Sequence, residues 1–311
     1  MNGPARAARL GAVLPVADDP LECERTSWLR AEVSARRYAR LHGLRHFPQR
    51  SAVLMRFPPG TAAAEVRRVE RCTGLLAQAG LPVPATFASD PEAGWILQED
   101  LGDRSLAAAA AEGAPVLDHY REALELLPRI GRLGALDTSP DPPLGALRMR
   151  RELRLFVESA LALEPAPGPG LLADVERLVE RCAAASVALC HRDYHARNLM
   201  LHEGRVRVLD HQDALPGPAV YDRVSLAYDP YVPLDDALRD QLAGDDPAAA
   251  AVAVQRLCKA IGTYASHRGE WLAAIAPAAR QARRLIARGE LRLPVLQAAL
   301  APLALRPVAA P

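Results

Sequence analysis

The N-terminal third of the chain combines short apolar runs with one amphipathic segment. Residues 51–57 and 94–98 have the length and composition of strands, and the first of these runs ends at a Pro-Pro-Gly sequence. Residues 62–79 place apolar side chains at helical spacing and stop at Gly80, a residue type that commonly follows a helix. The pattern predicts a small β-sheet with one helix packed across it.

Other segments near the two ends have less regular patterns. Residues 21–42 begin with a helical pattern and become strand-like within Ser34–Leu41. The proline- and alanine-rich tail after Leu293 is compatible with a final helix and with a disordered end. Residues 1–20 contain only a short apolar run broken by Pro15, so we expect a disordered start rather than a targeting signal.

Beyond residue 103 the apolar positions follow helical spacing. Ser105 is placed to cap the alanine-rich run Leu106–Ala111, which strongly favours a helix. Residues 149–163 and 171–182 each carry one continuous apolar face. This part of the chain is therefore predicted to be mainly helical.

These patterns together predict an α+β protein with two lobes. We expect a small β-sheet N-lobe at residues 1–98, a hinge at residues 99–103 and a larger, mainly helical C-lobe at residues 104–311. A chain of 311 residues is long enough to build a hydrophobic core in each lobe.

Composition and charge exclude several classes of partner. The formal net charge of +1 gives no electrostatic reason to expect nucleic acid or an anionic membrane surface. No apolar stretch approaches the length of a membrane span. The five cysteines are scattered and form no Cys-x-x-Cys pair, which fits reduced thiols in a cytosol. We expect a cytoplasmic protein.

The segment His191–Asn198 has the spacing H-R-D-x-x-x-x-N of a kinase catalytic loop. At this spacing Asp193 can orient an attacking hydroxyl and accept its proton, and Asn198 can give an amide oxygen to Mg²⁺. Residues 199–209 then predict a β-hairpin, which would return the chain so that Asp210 supplies a second metal ligand. The combination predicts a phosphoryl-transfer centre that uses a nucleotide and magnesium.

Residues around this motif suggest supporting roles. His191 and Arg192 are expected to brace the loop by hydrogen bonding. Asp222 is expected to be a buried acceptor for the amide protons of the loop. Asp213 is equally compatible with a contact to substrate or metal and with a buried structural carboxylate.

The segments His191–Met200 and Val208–Ala214 resemble the aminoglycoside phosphotransferase and choline kinase superfamily. Within it, Arg36–Tyr38 and the spacing of Asp210–Asp213 resemble the bacterial kinases that phosphorylate N-acetylmuramic acid and N-acetylglucosamine on the anomeric hydroxyl. The resemblance extends from about residue 30 to 265. It implies a bilobal protein-kinase-like fold, with ATP and Mg²⁺ as cofactors.

The resemblance also implies roles for individual residues. Asp193 corresponds to the catalytic base, and Asn198 and Asp210 correspond to the magnesium ligands. The segment Arg36–Arg40 corresponds to a loop over the nucleotide phosphates, and residues 98–101 correspond to a hinge whose backbone receives the adenine. The candidate nucleotide-binding residues are Arg36, Arg37, Arg56, Gln98, Glu99 and Leu101.

The chain departs from the protein-kinase pattern in its basic residues. A kinase uses a lysine on its third strand to hold the nucleotide phosphates, but Lys259 is the only lysine in this chain. Arg56 occupies the corresponding strand and is one candidate substitute; Arg36 and Arg37 are the others.

The hypothesis is an ATP-dependent kinase that converts an amino sugar to its 1-phosphate in peptidoglycan recycling, with Asp213 and Asp229 as candidate substrate contacts. One alternative is a different small hydroxyl acceptor, an aminoglycoside or a choline-like amino alcohol. Acidic pairs such as Asp235-Asp236 would then help to bind a polycation. The other is an inactive nucleotide-binding regulator, which the missing lysine favours and the intact Asp193, Asn198 and Asp210 oppose.

Overall fold

The chain divides into two compact units in the computed structural model. The first comprises Met1–Arg104 and Met200–Gln212, and the second comprises Ser105–Leu199 and Asp213–Pro311. The expected disorder of residues 1–20 lies outside the described part of the chain. The structure describes residues 23–29, 35–44, 50–60, 62–133, 142–161, 170–267 and 269–305.

A five-stranded antiparallel sheet forms the body of the first unit, with strand order β1-β2-β3-β5-β4. Side chains alternate between the faces of a strand. Leu54 and Leu97 therefore pack in a cluster on one face, whereas Met55 and Ile96 pack with Val66 in a second cluster. The strands are β1 (Arg25–Trp28), β2 (Arg37–His42), β3 (Ser51–Arg56), β4 (Thr86–Asp90) and β5 (Trp95–Glu99).

Helix α1 (Ala62–Gln78) confirms the helix expected between the strands, and it buries Val66, Val69 and Leu76. The helical start expected for residues 21–42 is wrong at Arg25–Trp28, which is strand β1. The physical reason is pairing. Each residue of this short segment lies opposite a residue of β2, and the added backbone hydrogen bonds outweigh a weak local pattern.

The expected hairpin is also present, as β7 (Leu199–His202) and β8 (Arg205–Val208). Its turn uses Glu203 and Gly204, both with positive φ, at 51° and 74°. This is the two-residue turn whose twist matches that of paired strands, and glycine tolerates its backbone at the second position.

The second unit is mainly helical, which confirms the expected fold class. Ser105 accepts a hydrogen bond from the amide of Ala108, as expected of a helix cap. Leu172, expected on the buried face of its helix, is exposed. The helices are α2 (Leu106–Ala111), α3 (Leu117–Gly131), α4 (Ala146–Ser159), α5 (Leu171–Ala183), α6 (Tyr221–Ala227), α7 (Asp236–Ala243), α8 (Ala249–His267), α9 (Ile275–Ala287), α10 (Pro294–Ala299) and α11 (Ala301–Ala304).

Two short strands and a close helix crossing shape this unit. Strand β6 (Val187–Cys190) pairs antiparallel with β9 (Leu215–Pro218). At Gly262 of α8 an added Cβ would lie 2.7 Å from the backbone of Phe156 in α4, so this crossing requires glycine. Helices α10 and α11 show that the proline-rich tail is helical through Ala304.

Across the described ranges, no helix is both long enough and apolar enough to cross a membrane.

Candidate active site

The loop that follows β6 is anchored by Asp222, a buried residue in the first turn of α6. The amides of His191 and Arg192 donate to its two carboxylate oxygens at 2.6 and 2.9 Å. Arg192 holds a left-handed backbone with φ of 77°, which is uncommon for a residue with a side chain. Burial raises the pKa of the Asp222 carboxyl, although the two amides oppose that shift. The expected role of Asp222 is confirmed.

Asp229 supports the same loop from its other end. Its Oδ2 accepts the amide of Ala196 at 2.7 Å, and its Oδ1 accepts the amide of Tyr231 at 2.8 Å. The residue is only 1% exposed. Both oxygens of Asp229 are therefore bound to backbone amides, and its expected contact with the acceptor stays a prediction.

Asp193 lies between these two anchors and remains accessible, with a side chain that is 29% exposed. Its Oδ1 is 3.7 Å from Nζ of Lys259 in α8. Burial alone would raise the pKa of Asp193, but Lys259, Arg256 and neighbouring basic groups together hold it below its usual range. The carboxylate is consequently ionised at neutral pH, as a group that is to take a proton from a hydroxyl must be.

His195 is a neutral neighbour of this carboxylate. Burial lowers the pKa of His195 to about 3, and the positive charge of Arg256 contributes to this shift. Its ring makes an edge contact with Tyr231 at a centroid separation of 5.5 Å. A neutral imidazole adds no positive charge beside Asp193.

Asn198 is held in the same loop through its amide nitrogen. Its Nδ2 donates to the backbone carbonyl of Asp193 at 2.9 Å, which leaves the amide oxygen of Asn198 outside this hydrogen bond. An oriented amide oxygen is a hard ligand of the type that Mg²⁺ prefers. Among the described residues, no group of three or more His, Cys, Asp and Glu side chains is arranged to hold a metal.

Arg192 points back into the second unit and braces the loop, as expected. Its Nη1 donates to the backbone carbonyl of Asp213 at 3.4 Å, and its Nη2 lies 3.6 Å from Glu152. Gln255 of α8 donates to the same Glu152 at 2.9 Å. The loop, the segment before β9, α4 and α8 are thereby connected through one network of polar contacts.

In the first unit, Asp210 lies beyond the end of β8 with a left-handed backbone, φ 58°. Its carboxylate is 42% exposed, and Nη1 of Arg36 is 3.6 Å from Oδ1. Gln212 donates to the same oxygen at 2.8 Å. The chain after Asp210 is fixed to α1, because His211 Nε2 and the Thr73 hydroxyl share a hydrogen bond of 2.7 Å.

The other two candidate arginines occupy different places. The guanidinium of Arg37 lies 4.3 Å from the ring centre of Trp28, in a cation–π contact. Arg56 ends β3 and lies opposite Arg37 in the strand register. Within the first unit, Arg36 is thus the candidate that forms an ion pair with Asp210.

The expected hinge is braced by two arginines that the sequence patterns did not assign to it. Arg40 forms an ion pair with Asp100, with 2.8 Å between Nε and Oδ2, and donates two hydrogen bonds of 2.8 and 2.9 Å to the Asp103 carboxylate. Arg207 of β8 bonds the Glu99 carboxylate and the carbonyl of Val83. These partners are 60 or more residues apart in the chain, so no local spacing indicates them.

Two of the candidate hinge residues, Glu99 and Leu101, have contacts of their own within the first unit. Burial alone would raise the pKa of Glu99, but the hydrogen bonds from Arg207 and the amide of Ala85 lower it below its usual range. The carbonyl of Leu101 is 3.3 Å from Nδ1 of His202. The Glu99 side chain therefore fixes the hinge, while Gln98 stands beside it in β5.

A group of aromatic side chains adjoins the catalytic loop. Tyr264 and Trp271 are stacked with ring centres 6.1 Å apart, and Tyr231 packs against both. The guanidinium of Arg197 lies over the rings of Tyr231 and Trp271, at 4.4 and 4.7 Å from their centres.

Residues 28–254 match the phosphotransferase enzyme family known as APH, and the chain belongs to this family. Over 214 residues it is 35% identical to the N-acetylmuramate/N-acetylglucosamine kinase of Pseudomonas aeruginosa, covering 65% of this chain and 59% of that protein. Over 222 residues it is 33% identical to the protein of the same name from Pseudomonas putida, covering 69% and 62%. The chain spans about three fifths of the length of these relatives.

The fold has counterparts among solved structures. A choline/ethanolamine kinase family protein from Mesorhizobium loti matches with a TM-score of 0.60 and 13% identity, over 98% of this chain and all of that one. The resemblance to the aminoglycoside phosphotransferase and choline kinase superfamily is therefore confirmed, and so is the protein-kinase-like fold.

Proposed function

We propose that this protein is an ATP-dependent kinase that phosphorylates the anomeric hydroxyl of an amino sugar, N-acetylmuramic acid or N-acetylglucosamine. The product would be the sugar 1-phosphate, formed in the recycling of cell-wall peptidoglycan. The observation that carries the proposal is Asp193, an ionised and accessible carboxylate on a loop fixed at both ends by buried aspartates.

Asp193 acts as the base in this proposal. Its carboxylate accepts a hydrogen bond from the acceptor hydroxyl, orients the oxygen towards the γ-phosphate and takes the proton as the new bond forms. The anchors at Asp222 and Asp229 keep the loop from moving when the acceptor binds. Such positioning is a main source of rate in phosphoryl transfer.

Magnesium bound to the nucleotide would neutralise the phosphate charge. The donor set fits this ion, because the fixed amide oxygen of Asn198 and the exposed carboxylate of Asp210 are hard oxygen ligands. We propose these two side chains as the magnesium ligands.

Arg36 is our proposed substitute for the missing third-strand lysine. A kinase lysine holds the nucleotide phosphates, and Arg36 forms an ion pair with Asp210, the proposed metal ligand, with a side chain only 12% exposed. Arg37 is turned towards Trp28 instead. The backbone of the hinge at residues 98–101 would receive the adenine, with Glu99 bonded to Arg207 and so outside the nucleotide contacts.

The relatives named above support the amino-sugar assignment. The aromatic group argues against a choline-like acceptor, because the faces of Tyr231 and Trp271 that would attract a quaternary ammonium are covered by Arg197. An inactive regulator is disfavoured because nearby basic groups keep Asp193 ionised on an anchored loop, an arrangement that a protein without catalysis would not need. We retain Asp213 as a candidate substrate contact.

The test is an acceptor panel with Mg-ATP, including both amino sugars, an aminoglycoside and choline. ADP release measures turnover, and ³¹P NMR of the product identifies the phosphorylated position. We expect turnover of an amino sugar with phosphate on C1, and loss of turnover in Asp193→Asn with nucleotide affinity nearly unchanged. Phosphate on another hydroxyl, or turnover confined to choline or the aminoglycoside, would contradict the assignment.

A further inference from the structure

The only lysine of the chain lies beside the proposed base rather than on the third strand. We propose that Lys259 is a positioning residue, which holds the Asp193 carboxylate in the orientation that receives the acceptor hydroxyl. This inference rests on the proposed function of Asp193. It gives a role to a residue that the kinase motif does not include, 66 positions further along the chain.

The backbone and the side chain of Asp193 are held from different directions. Asn198 fixes the backbone carbonyl from within the loop. Lys259 approaches the carboxylate from α8, with Nζ 3.7 Å from Oδ1. A carboxylate on a fixed backbone can still rotate about its own side-chain torsions, so an ammonium ion on one oxygen selects a single orientation.

The approach of α8 depends on how tightly this helix packs. Gly262 lies one turn after Lys259 and allows α8 to meet the backbone of Phe156. Arg256 lies one turn before Lys259, buried on the same helical face. The ammonium group is therefore carried by a helix whose position is fixed, and its side chain is only 20% exposed.

The charges that face Lys259 come from three elements. Asp193 and Arg192 belong to the loop, Glu152 to α4 and Arg256 to α8 itself. Burial lowers the pKa of Lys259, the nearby carboxylates Asp193 and Glu152 raise it, and the two arginines lower it further. The ion pair with Asp193 is thus the main specific interaction that keeps a charged ammonium in this setting.

The first test uses the fact that the chain contains one lysine. Protein labelled with ¹³C at lysine Cε should give a single lysine resonance, and Lys259→Arg, which has none, confirms its identity. Because Asp193 stabilises the charged ammonium, we expect this resonance to titrate at lower pH in Asp193→Asn than in the wild type. An unchanged titration would show that the two groups are not coupled and would overturn the inference.

The second test is kinetic. We expect Lys259→Met to lower kcat about 10- to 100-fold while the Kd for Mg-ATP changes by less than about twofold, since the lost interaction acts on the base. Lys259→Arg should recover part of the lost rate, because it restores a cation. A Lys259→Met protein with wild-type kcat would overturn the inference, as would one whose loss Lys259→Arg does not reduce at all.

The two tests separate this inference from the function itself. The resonance titration requires no acceptor, so it decides the Lys259–Asp193 coupling even if every acceptor in the panel is inert. An inert panel together with a coupled pair would count against the proposed substrate alone. An active panel with an uncoupled pair would count against the role of Lys259 alone.

Discussion

Replacing Asp222 by alanine tests the support on which the proposed base depends. The substitution removes the acceptor for two buried amides, those of His191 and Arg192. The Asp222 side chain has no direct part in the proposed chemistry, because it is buried beneath the loop. The effect on stability and the effect on rate then have one structural cause.

The magnitude follows from the two hydrogen bonds. A buried amide left without an acceptor costs about 1–3 kcal/mol, so two of them cost roughly 2–6 kcal/mol. Part of this is offset, because the wild-type carboxylate is itself buried, and burial of a charged group is costly. We expect a net loss of about 2–4 kcal/mol in the free energy of unfolding. The left-handed backbone at Arg192 should relax once its amide is released.

The assay compares urea unfolding and kcat for Asp222→Ala and a matched control, Asp235→Ala. Asp235 also accepts a backbone amide, that of Leu238, but at the exposed start of α7. Loss of such a cap costs about 1 kcal/mol, and the control should keep wild-type kcat. Asp222→Ala should lose most of its kcat. The reasoning is refuted if the two variants are equally stable, or if Asp222→Ala retains full activity while folded.

Further predictions concern the nucleotide, pH and packing. Arg36→Ala should raise the KM for ATP about tenfold, as expected for a lost charge-assisted contact, and Arg56→Ala should leave it nearly unchanged; equal effects in steady-state kinetics would contradict the assignment. Since the pKa of His195 is about 3 in the folded chain, the unfolded chain binds an extra proton between that pH and its ordinary pKa near 6.5. Unfolding free energy should therefore fall as pH falls below about 6.5, by at most about 1.4 kcal/mol per pH unit, and denaturant titrations of His195→Gln should lack this component. Gly262→Ala should destabilise the protein by about 1–3 kcal/mol or more through its clash with a neighbouring backbone, whereas Gly74→Ala, with open space at its Cβ, should stabilise it by about 0.5–1 kcal/mol; thermal unfolding that ranks them otherwise would refute the packing argument.

Features encoded by neighbouring residues could be predicted from the sequence. Ser105 as a cap, helix α1 and the hairpin around Glu203-Gly204 each depend on a few adjacent side chains and backbone angles. The spacing from His191 to Asn198 could be recognised for the same reason. Strand β1 could not, because four residues carry too little pattern and their structure depends on pairing with β2.

The roles of the aspartates show a second limit. Asp193, Asp222 and Asp229 are the same residue type within one stretch of chain, and sequence patterns assigned a substrate contact to the last of them. The structure separates them by burial and partners: Asp193 is accessible, while the other two are buried and accept backbone amides. Which carboxylate remains free to meet a ligand is decided by tertiary packing, which no residue spacing records.

The difference between an ammonium and a guanidinium group explains why a lysine accompanies the proposed base. Elsewhere in this arginine-rich chain, guanidinium groups bind carboxylates through two of their nitrogens, as Arg40 binds Asp103 and Arg284 binds Asp240. Such a fork engages both oxygens, which suits a brace but leaves fewer lone pairs of the carboxylate for an acceptor hydroxyl. A point charge 3.7 Å from Oδ1 restrains Asp193 and leaves its carboxylate accessible. Lys259→Arg should therefore retain the fold and the nucleotide affinity, with a kcat between those of Lys259→Met and the wild type.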